Sequence, residues 1–468
     1  MIISPEFRRN LWLELTPHRL IAMPVILVAI FILSALIEET SRSSGLRVAS
    51  ISAFYIIVYL WGTRRAAAAL ADEVRGRTWD SQRMSALDAW SMTWGKLLGG
   101  TAFIWYGGVI CLLAFVAAES NHTSAATAWR LAATAMFSGL FGQVVAFVVA
   151  LVLLRKMPSR PRLPVTLCQF FGLCAVVPFG FDWPLIFRRF PESAEGILWY
   201  GWTVPAADFR LLSVSAFLIW AIIAAYRLMR VELQHRALPW VWICFSLFLM
   251  TYAAGFVWET GSDRFHYDEG PAMWLLTPSF LVAVSLLYAA LFAEPKDTVS
   301  QRALVRATAA ADWPRVGYLL PLWLPSLFLL LVLGVLLMTQ VPIEPLSSDG
   351  LLQLGPKIAF SAFVVLAIML FVLRDIGIVM LLSLRSRRKR PDLVAFVYLL
   401  LLYTVFGGLV GSAGWDSVLP FFLPVPGDTA LWTVGPVFAE VLLVCVALGW
   451  RWHQGGALIT PASSELPS

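Results

Sequence analysis

The chain has 468 residues, of which 59% are hydrophobic and 14% charged, with a mean hydropathy of +0.76. Those values exclude a water-soluble globule and point to a polytopic membrane protein. The formal charge of +6 does not indicate nucleic acid, because the basic residues recur in short loops, where membrane orientation places them, and not on one domain.

Residues 5–19 set Phe7, Leu11, Leu13 and Leu15 among Arg8, Arg9, Glu14 and His18. This pattern, with Trp12 suited to the headgroup level, predicts a short interfacial helix before the first span. No small-residue cleavage site follows it, so the first spanning helix is expected to act as the targeting signal.

A helix rises about 1.5 Å per residue, so roughly 20 mostly apolar residues cross the hydrocarbon core with every backbone polar group satisfied inside the span. On that measure the sequence predicts an all-α bundle of twelve spans, near 20–37, 48–62, 97–118, 131–154, 164–181, 211–229, 239–257, 273–292, 316–338, 358–373, 393–410 and 434–450. With the N-terminus inside, Lys and Arg alternate between rich and poor loops, and most of the 35 fall in the cytoplasmic ones. That asymmetry predicts both termini on the cytoplasmic side.

Between the second and third spans the chain turns polar, with Asp72, Glu73, Arg75, Arg77, Asp80, Arg83 and Asp88. Met84, Leu87, Trp90 and Trp94 recur at helical spacing, and Ser81, Ser85 and Asp88 follow another face. The periodicity predicts one amphipathic helix, its apolar side to the membrane and its polar side free for a cytoplasmic partner; the bland reading is a solvated loop. Gly95, Gly99 and Gly100 then suit a turn and close packing as the third span begins.

The outer loops 182–210 and 411–433 are rich in Trp and Phe and read as interfacial anchors. Arg374-Asp375 is expected to snorkel at a span's inner end, and 385–390, RSRRKR, to anchor the inner leaflet. Asp263, His266, Asp268 and Glu269 match no metal-ligand spacing and read as a solvated acidic loop, so no metal is expected. The five cysteines, all in apolar runs, read as small buried residues. Within the spans, Gln143 and Gln169 are expected to bond between helices. Glu440 could bind a proton or a cationic substrate group, or pair with a neighbouring helix.

Six spans precede the link 230–237 and six follow it, which divides the chain into units 1–230 and 238–468. Ser81-Gln82-Arg83 recurs as Ser300-Gln301-Arg302, and Trp202-Thr203-Val204 as Trp432-Thr433-Val434. These echoes suggest a diverged repeat and a second polar loop around Gln301, Arg302 and Arg306.

The stretch 71–96 resembles the loop between spans two and three of the permease subunits of ABC-2 type transporters. In that family acidic residues and a Thr precede a short helix, and Gly-Lys opens span three. Here Glu73, Thr78, Trp90 and Gly95-Lys96 stand in that order. The family's frequent Gly-Thr is Arg77-Thr78, and its loop proline is Ala86. The resemblance implies a bacterial inner-membrane exporter subunit that is not itself an enzyme. Its coupling residues would be Glu73, Arg75, Thr78, Trp79, Arg83, Leu87, Trp90, Gly95 and Lys96, receiving a separate cytoplasmic ATPase. It also implies either a homodimer or a single chain of two fused units. No G-x-x-x-x-G-K-[ST] occurs, since Trp90 and Leu97 flank the one Gly-Lys pair, so this chain is expected to bind no cofactor and to draw on ATP through its partner. The alternative is a polytopic membrane enzyme or polymer-export component with reactive groups on its outer face.

Overall fold

The computed structural model describes residues 4–37, 42–84, 87–156, 163–180, 196–235, 238–256, 271–296, 298–341, 361–383, 391–427 and 429–457. The acidic stretch 263–269, the basic run 385–390, residues 182–195 of the aromatic loop 182–210, and Ser85 and Ala86 lie outside them.

The chain divides into two compact units, one of Met1–Ile197 with Trp202–Ala237, the other of Leu198–Gly201 with Leu238–Ser468. Unit 1 begins with α1 (Pro5–Glu14), α2 (Pro17–Ile37) and α3 (Arg42–Phe54), which passes through a π-helical segment, Tyr55–Trp61, into α4 (Gly62–Arg75). The polar connection holds α5 (Trp79–Arg83) and α6 (Ala89–Gly100), followed by α7 (Ala102–Glu119), α8 (Ala125–Lys156) and α9 (Val165–Gly180). The three-residue strands β1 (Ile197–Trp199) and β2 (Trp202–Val204) precede α10 (Ala206–Glu232). Unit 2 comprises α11 (Trp240–Ala254), α12 (Pro271–Ala293), α13 (Thr298–Ala309), α14 (Trp313–Leu319), α15 (Trp323–Met338), α16 (Ala362–Ser383) and α17 (Pro391–Leu400). A second π-helical segment, Leu401–Phe406, joins α17 to α18 (Gly407–Ser412); a 3-10 helix, Asp416–Phe421, then precedes α19 (Ala430–Ala457).

Among the described residues nine helices are long and apolar enough to cross a membrane, or ten if α14 and α15, bent by 95°, count as one broken span. Two more apolar helices, α9 and α11, are shorter. Several edges differ from the sequence reading. The second span does not stop at Gly62: it continues as helix to Arg75, because the run Ala66 to Leu70 has no helix breaker and packs its apolar side inward. The third span is not one helix from Leu97; it is interrupted at Thr101 (φ −111°, ψ 8°).

Unit 1 has two apolar cores that share the long helix α8. Phe141, Phe147 and Leu151 of α8 pack with Leu70 of α4, Leu97 of α6 and Val214 of α10. Nearer the N-terminus of α8, Ala128, Ala132 and Ala135 join a core of Leu27, Phe54, Val58 and Ile104. Small residues on α8 allow that close packing in lipid, where burial of apolar surface drives association less than contact does. Unit 2 has its own core of Phe280, Leu287, Leu330, Val365 and Val379.

Candidate functional site

The polar loop of unit 1 closes around one buried cation. Lys96, on α6, is 1% exposed. Its Nζ donates to Glu73 Oε2, to Gln82 Oε1 at 2.6 Å and to Glu6 Oε1 at 3.3 Å, and lies 5.4 Å from the centre of the buried Trp79 ring. Gln82 Nε2 donates to the other Glu73 oxygen at 2.9 Å. Arg9 reaches Glu73 and Glu6, each at 3.6 Å. Two cations thus meet two carboxylates, and the buried charge is balanced, as burial requires. Residues from α1, α4, α5 and α6 converge here; Trp79 supplies an aromatic face that adds cation–π attraction to the ion pairs.

Helix α1 is fastened at both ends. Ser4 caps it by accepting from Phe7 N at 3.1 Å, and Asn10 Nδ2 donates to Gly95 O at 3.1 Å. At its far end Glu14 is buried and accepts from Arg65 of α4 and from Arg19 at 3.1 Å. Glu6, Asn10 and Glu14 follow at i, i+4 and i+8, so they share one face. That polar face turns inward, while Trp12 is 81% and Leu13 54% exposed. The helix sits against the chain by this polar face and by Phe7, whose ring lies beside Gly99, and shows Trp12 and Leu13 outward, an arrangement suited to a headgroup layer.

The expected single amphipathic helix is not what forms. Asp88 accepts from Ser91 N at 3.2 Å, which starts a new helix at Ala89 and breaks the periodicity. Met84 consequently ends the preceding helix and does not share one with the tryptophans; it is 83% exposed. Trp90 packs edge-on against Trp94 (centroids 5.3 Å apart) and Tyr226 of α10 (5.6 Å), and Leu87 packs against the adjoining core.

The residues expected to couple, with their neighbours in the loop, therefore separate into two sets. Glu73, Trp79, Gly95 and Lys96 belong to the buried node. Gly95 has no room for a side chain, since a Cβ there would lie 2.9 Å from Glu6 Cβ. Arg75, Arg77, Thr78, Asp80, Ser81 and Met84 are exposed. Arg77 adopts a left-handed backbone (φ 56°), and Thr78 closes α4 by donating from its backbone N to Glu73 O at 3.0 Å and from its hydroxyl to the same oxygen at 3.3 Å. Arg75 pairs with Asp72 at 3.3 Å. Arg83 sits between the sets, 3.8 Å from Asp80 and 3.9 Å from Glu232 at the end of α10.

In unit 2, Gln301 Nε2 lies 3.6 Å from Met380 Sδ, Arg302 covers the Trp452 ring at 5.9 Å, and Arg306 is exposed. Lys296, at the start of that loop, pairs with Asp392 at 2.8 Å.

Inside the spans, three consecutive carbonyls of the first π-helical segment receive side-chain donors. Gln143 Nε2 reaches Val58 O at 3.2 Å, Thr63 Oγ1 reaches Tyr59 O at 2.5 Å, and Gln169 Nε2 reaches Leu60 O at 2.9 Å. A widened turn loosens the regular backbone ladder, and these groups supply it with further donors. Arg374-Asp375 is not a snorkelling pair: the two residues are 2% and 0% exposed in the middle of α16, because Asp375 offers the guanidinium a partner within the bundle. Glu440 of α19 accepts from Arg374 Nη1 at 2.7 Å. Sequence reasoning missed Glu6, Arg9, Asn10, Gln82, Tyr288 and Tyr403. The spacing of Glu6, Asn10 and Glu14 was the available signal for three of the contacts on α1.

The fold and these sites define the class: a multi-pass, all-α membrane protein. No family model matches the chain, and neither a curated protein nor a solved structure matches it.

Proposed function

We infer that this chain is the membrane permease subunit of an ATP-driven exporter of the ABC-2 type. In this reading it has twelve spans with both termini cytoplasmic, lies in a bacterial inner membrane, and couples to a separate ATPase through residues 71–96. One observation carries it: the loop presents an exposed tip whose base is tied by buried Lys96 to α4, to α1 and to the start of the third span. A push on α5 would be passed along ion pairs and packed helix to α6 and α7, not lost in a solvated loop. Arg75, Arg77, Thr78, Asp80 and Met84 would face the ATPase; Glu73, Trp79, Gly95 and Lys96 would carry its movement inward. ATP would be bound by the partner, and the chain would act either as a homodimer or as one fused two-unit permease.

The test is co-purification of the chain with an ATPase from native membranes. Replacing Asp80→Lys and Met84→Asp together is expected to abolish it, because both side chains are exposed and neither is part of the buried node. Unchanged co-purification and unchanged stimulation of ATP hydrolysis would contradict the assignment of the tip.

A further inference from the structure

Unit 2 carries a charge cluster in its apolar interior for which coupling to an ATPase has no use. Arg374 and Asp375 are neighbours on α16. The guanidinium holds Asp375 Oδ1 from Nε at 3.0 Å and from Nη2 at 2.9 Å. The hydroxyls of Tyr288, on α12, and Tyr403, in the second π-helical segment, each donate to Asp375 Oδ2 at 2.6 Å. Four donors on two oxygens mark Asp375 as the ionised carboxylate of the cluster, and with Arg374 it forms a neutral pair. Tyr403 is bound to that pair from both sides, since its oxygen also accepts from Arg374 Nη2 at 3.0 Å.

Glu440 approaches the same guanidinium from α19. Its Oε2 accepts from Nη1 at 2.7 Å, and its side chain is 33% exposed. One guanidinium therefore serves two carboxylates. With all three groups charged the cluster carries one negative charge that no other cation among the described residues is shown to meet, and among apolar helices such a charge is costly. A cation must remove it, and the geometry selects which one. A metal ion at Glu440 would lie beside a guanidinium nitrogen, while the nearby hydroxyls direct their protons to Asp375; the ring of oxygens that a hard cation requires does not form among the described residues. A proton needs only the one carboxylate oxygen.

We propose that Glu440 is a proton-binding site within the membrane-embedded part of unit 2. Carrying its proton, Glu440 is neutral and Arg374 pairs with Asp375 alone. On release the carboxyl O–H bond breaks, the proton passes to water, and the carboxylate joins Arg374 in an ion pair that ties α19 to α16. The groups that face it are Arg374 and Asp375 from α16 and Tyr403 from the π-helical segment, with Tyr288 of α12 acting through Asp375. On its own helix the nearest titratable group is Cys445. The 3-10 helix that contains Asp416 meets α19 through Trp432, whose Nε1 donates to Ser417 O at 2.5 Å, two helical turns before Glu440. The site is independent of ATPase coupling and would stand if the coupling reading fell.

Dicyclohexylcarbodiimide, an apolar reagent that reacts with protonated carboxyls, tests this in the purified full-length protein reconstituted in lipid. Mass spectrometry of the peptides after labelling in acidic and in alkaline buffer is expected to show Glu440 modified in acid and at least several-fold less in alkali. Asp375 is expected to stay unmodified throughout. Glu440→Gln, which keeps an oxygen acceptor for Arg374, should remove the label from that peptide. Labelling of Asp375 in place of Glu440, labelling of Glu440 that does not change with pH, or none at Glu440 in any buffer would overturn the proposal. The decisive readout comes from the native chain, so it holds whether or not the variant folds.

Discussion

An ammonium group with 1% of its residue exposed survives burial only if its charge and its protons are all met. Lys96 meets that condition with Glu73, Glu6 and Gln82. Replacing it by methionine keeps the length and loses the charge, so two carboxylates remain buried with Arg9 alone beside them. Breaking a buried pair in this way costs about 3–5 kcal/mol. Thermal unfolding of Lys96→Met in detergent is expected to show a markedly lower midpoint than the native chain, and an unchanged midpoint would mean the node is hydrated and weak. The presence of a Gly-Lys pair was plain in the sequence, but its partners were not. Glu6 stands 90 positions away, and no local periodicity links the two. Arg77 shows the reverse case: the resembled family's frequent glycine is missing there, and the left-handed φ of 56° gives the physical reason a glycine would suit that place.

Elements differ in how far the sequence exposes them. Apolar length marks the spanning helices well, because few other structures can bury a long run without unsatisfied backbone groups. Breaks within polar stretches are harder to see, since one capping aspartate, Asp88, outweighs a hydrophobic spacing that favours continuity. Helix α1 shows a subtler failure. Its apolar residues suggested which side met the membrane, but what fixes it to the protein is the polar stripe of Glu6, Asn10 and Glu14, packed over Gly95 and Gly99 of α6. A Cβ at Gly99 would stand 2.8 Å from Asn10 Cβ, so Gly99→Ala must push α1 away. Overpacking of this kind costs about 1–3 kcal/mol. Limited proteolysis is expected to cut the N-terminal helix faster in Gly99→Ala than in the native chain, while the rest of unit 1 keeps its protection; equal rates would show that α1 does not rest on that glycine.

At the scale of the molecule, composition alone identified a membrane protein, and the helices agree. The sequence reading of twelve spans meets nine helices long and apolar enough to cross a membrane, ten with the bent pair, among the described residues; α9 and α11, with 16 and 15 residues of helix, fall short of the roughly 20 that the hydrocarbon core requires. The two units also fasten their polar loops differently, Lys96 to α1 and α4 in one, Lys296 to Asp392 in the other. Ser81-Gln82-Arg83 and Ser300-Gln301-Arg302 are therefore alike in letters and unlike in contacts: Gln82 bonds Lys96 at 2.6 Å, Gln301 lies against Met380. Coupling through the first loop is the central claim, and a photo-crosslinking residue placed at position 84 addresses it directly. In intact membranes it is expected to yield an adduct whose peptides include a Walker A sequence, with no such adduct from position 12 on the outward face of α1. Crosslinks from position 84 to lipid alone, or the same adducts from both positions, would contradict it.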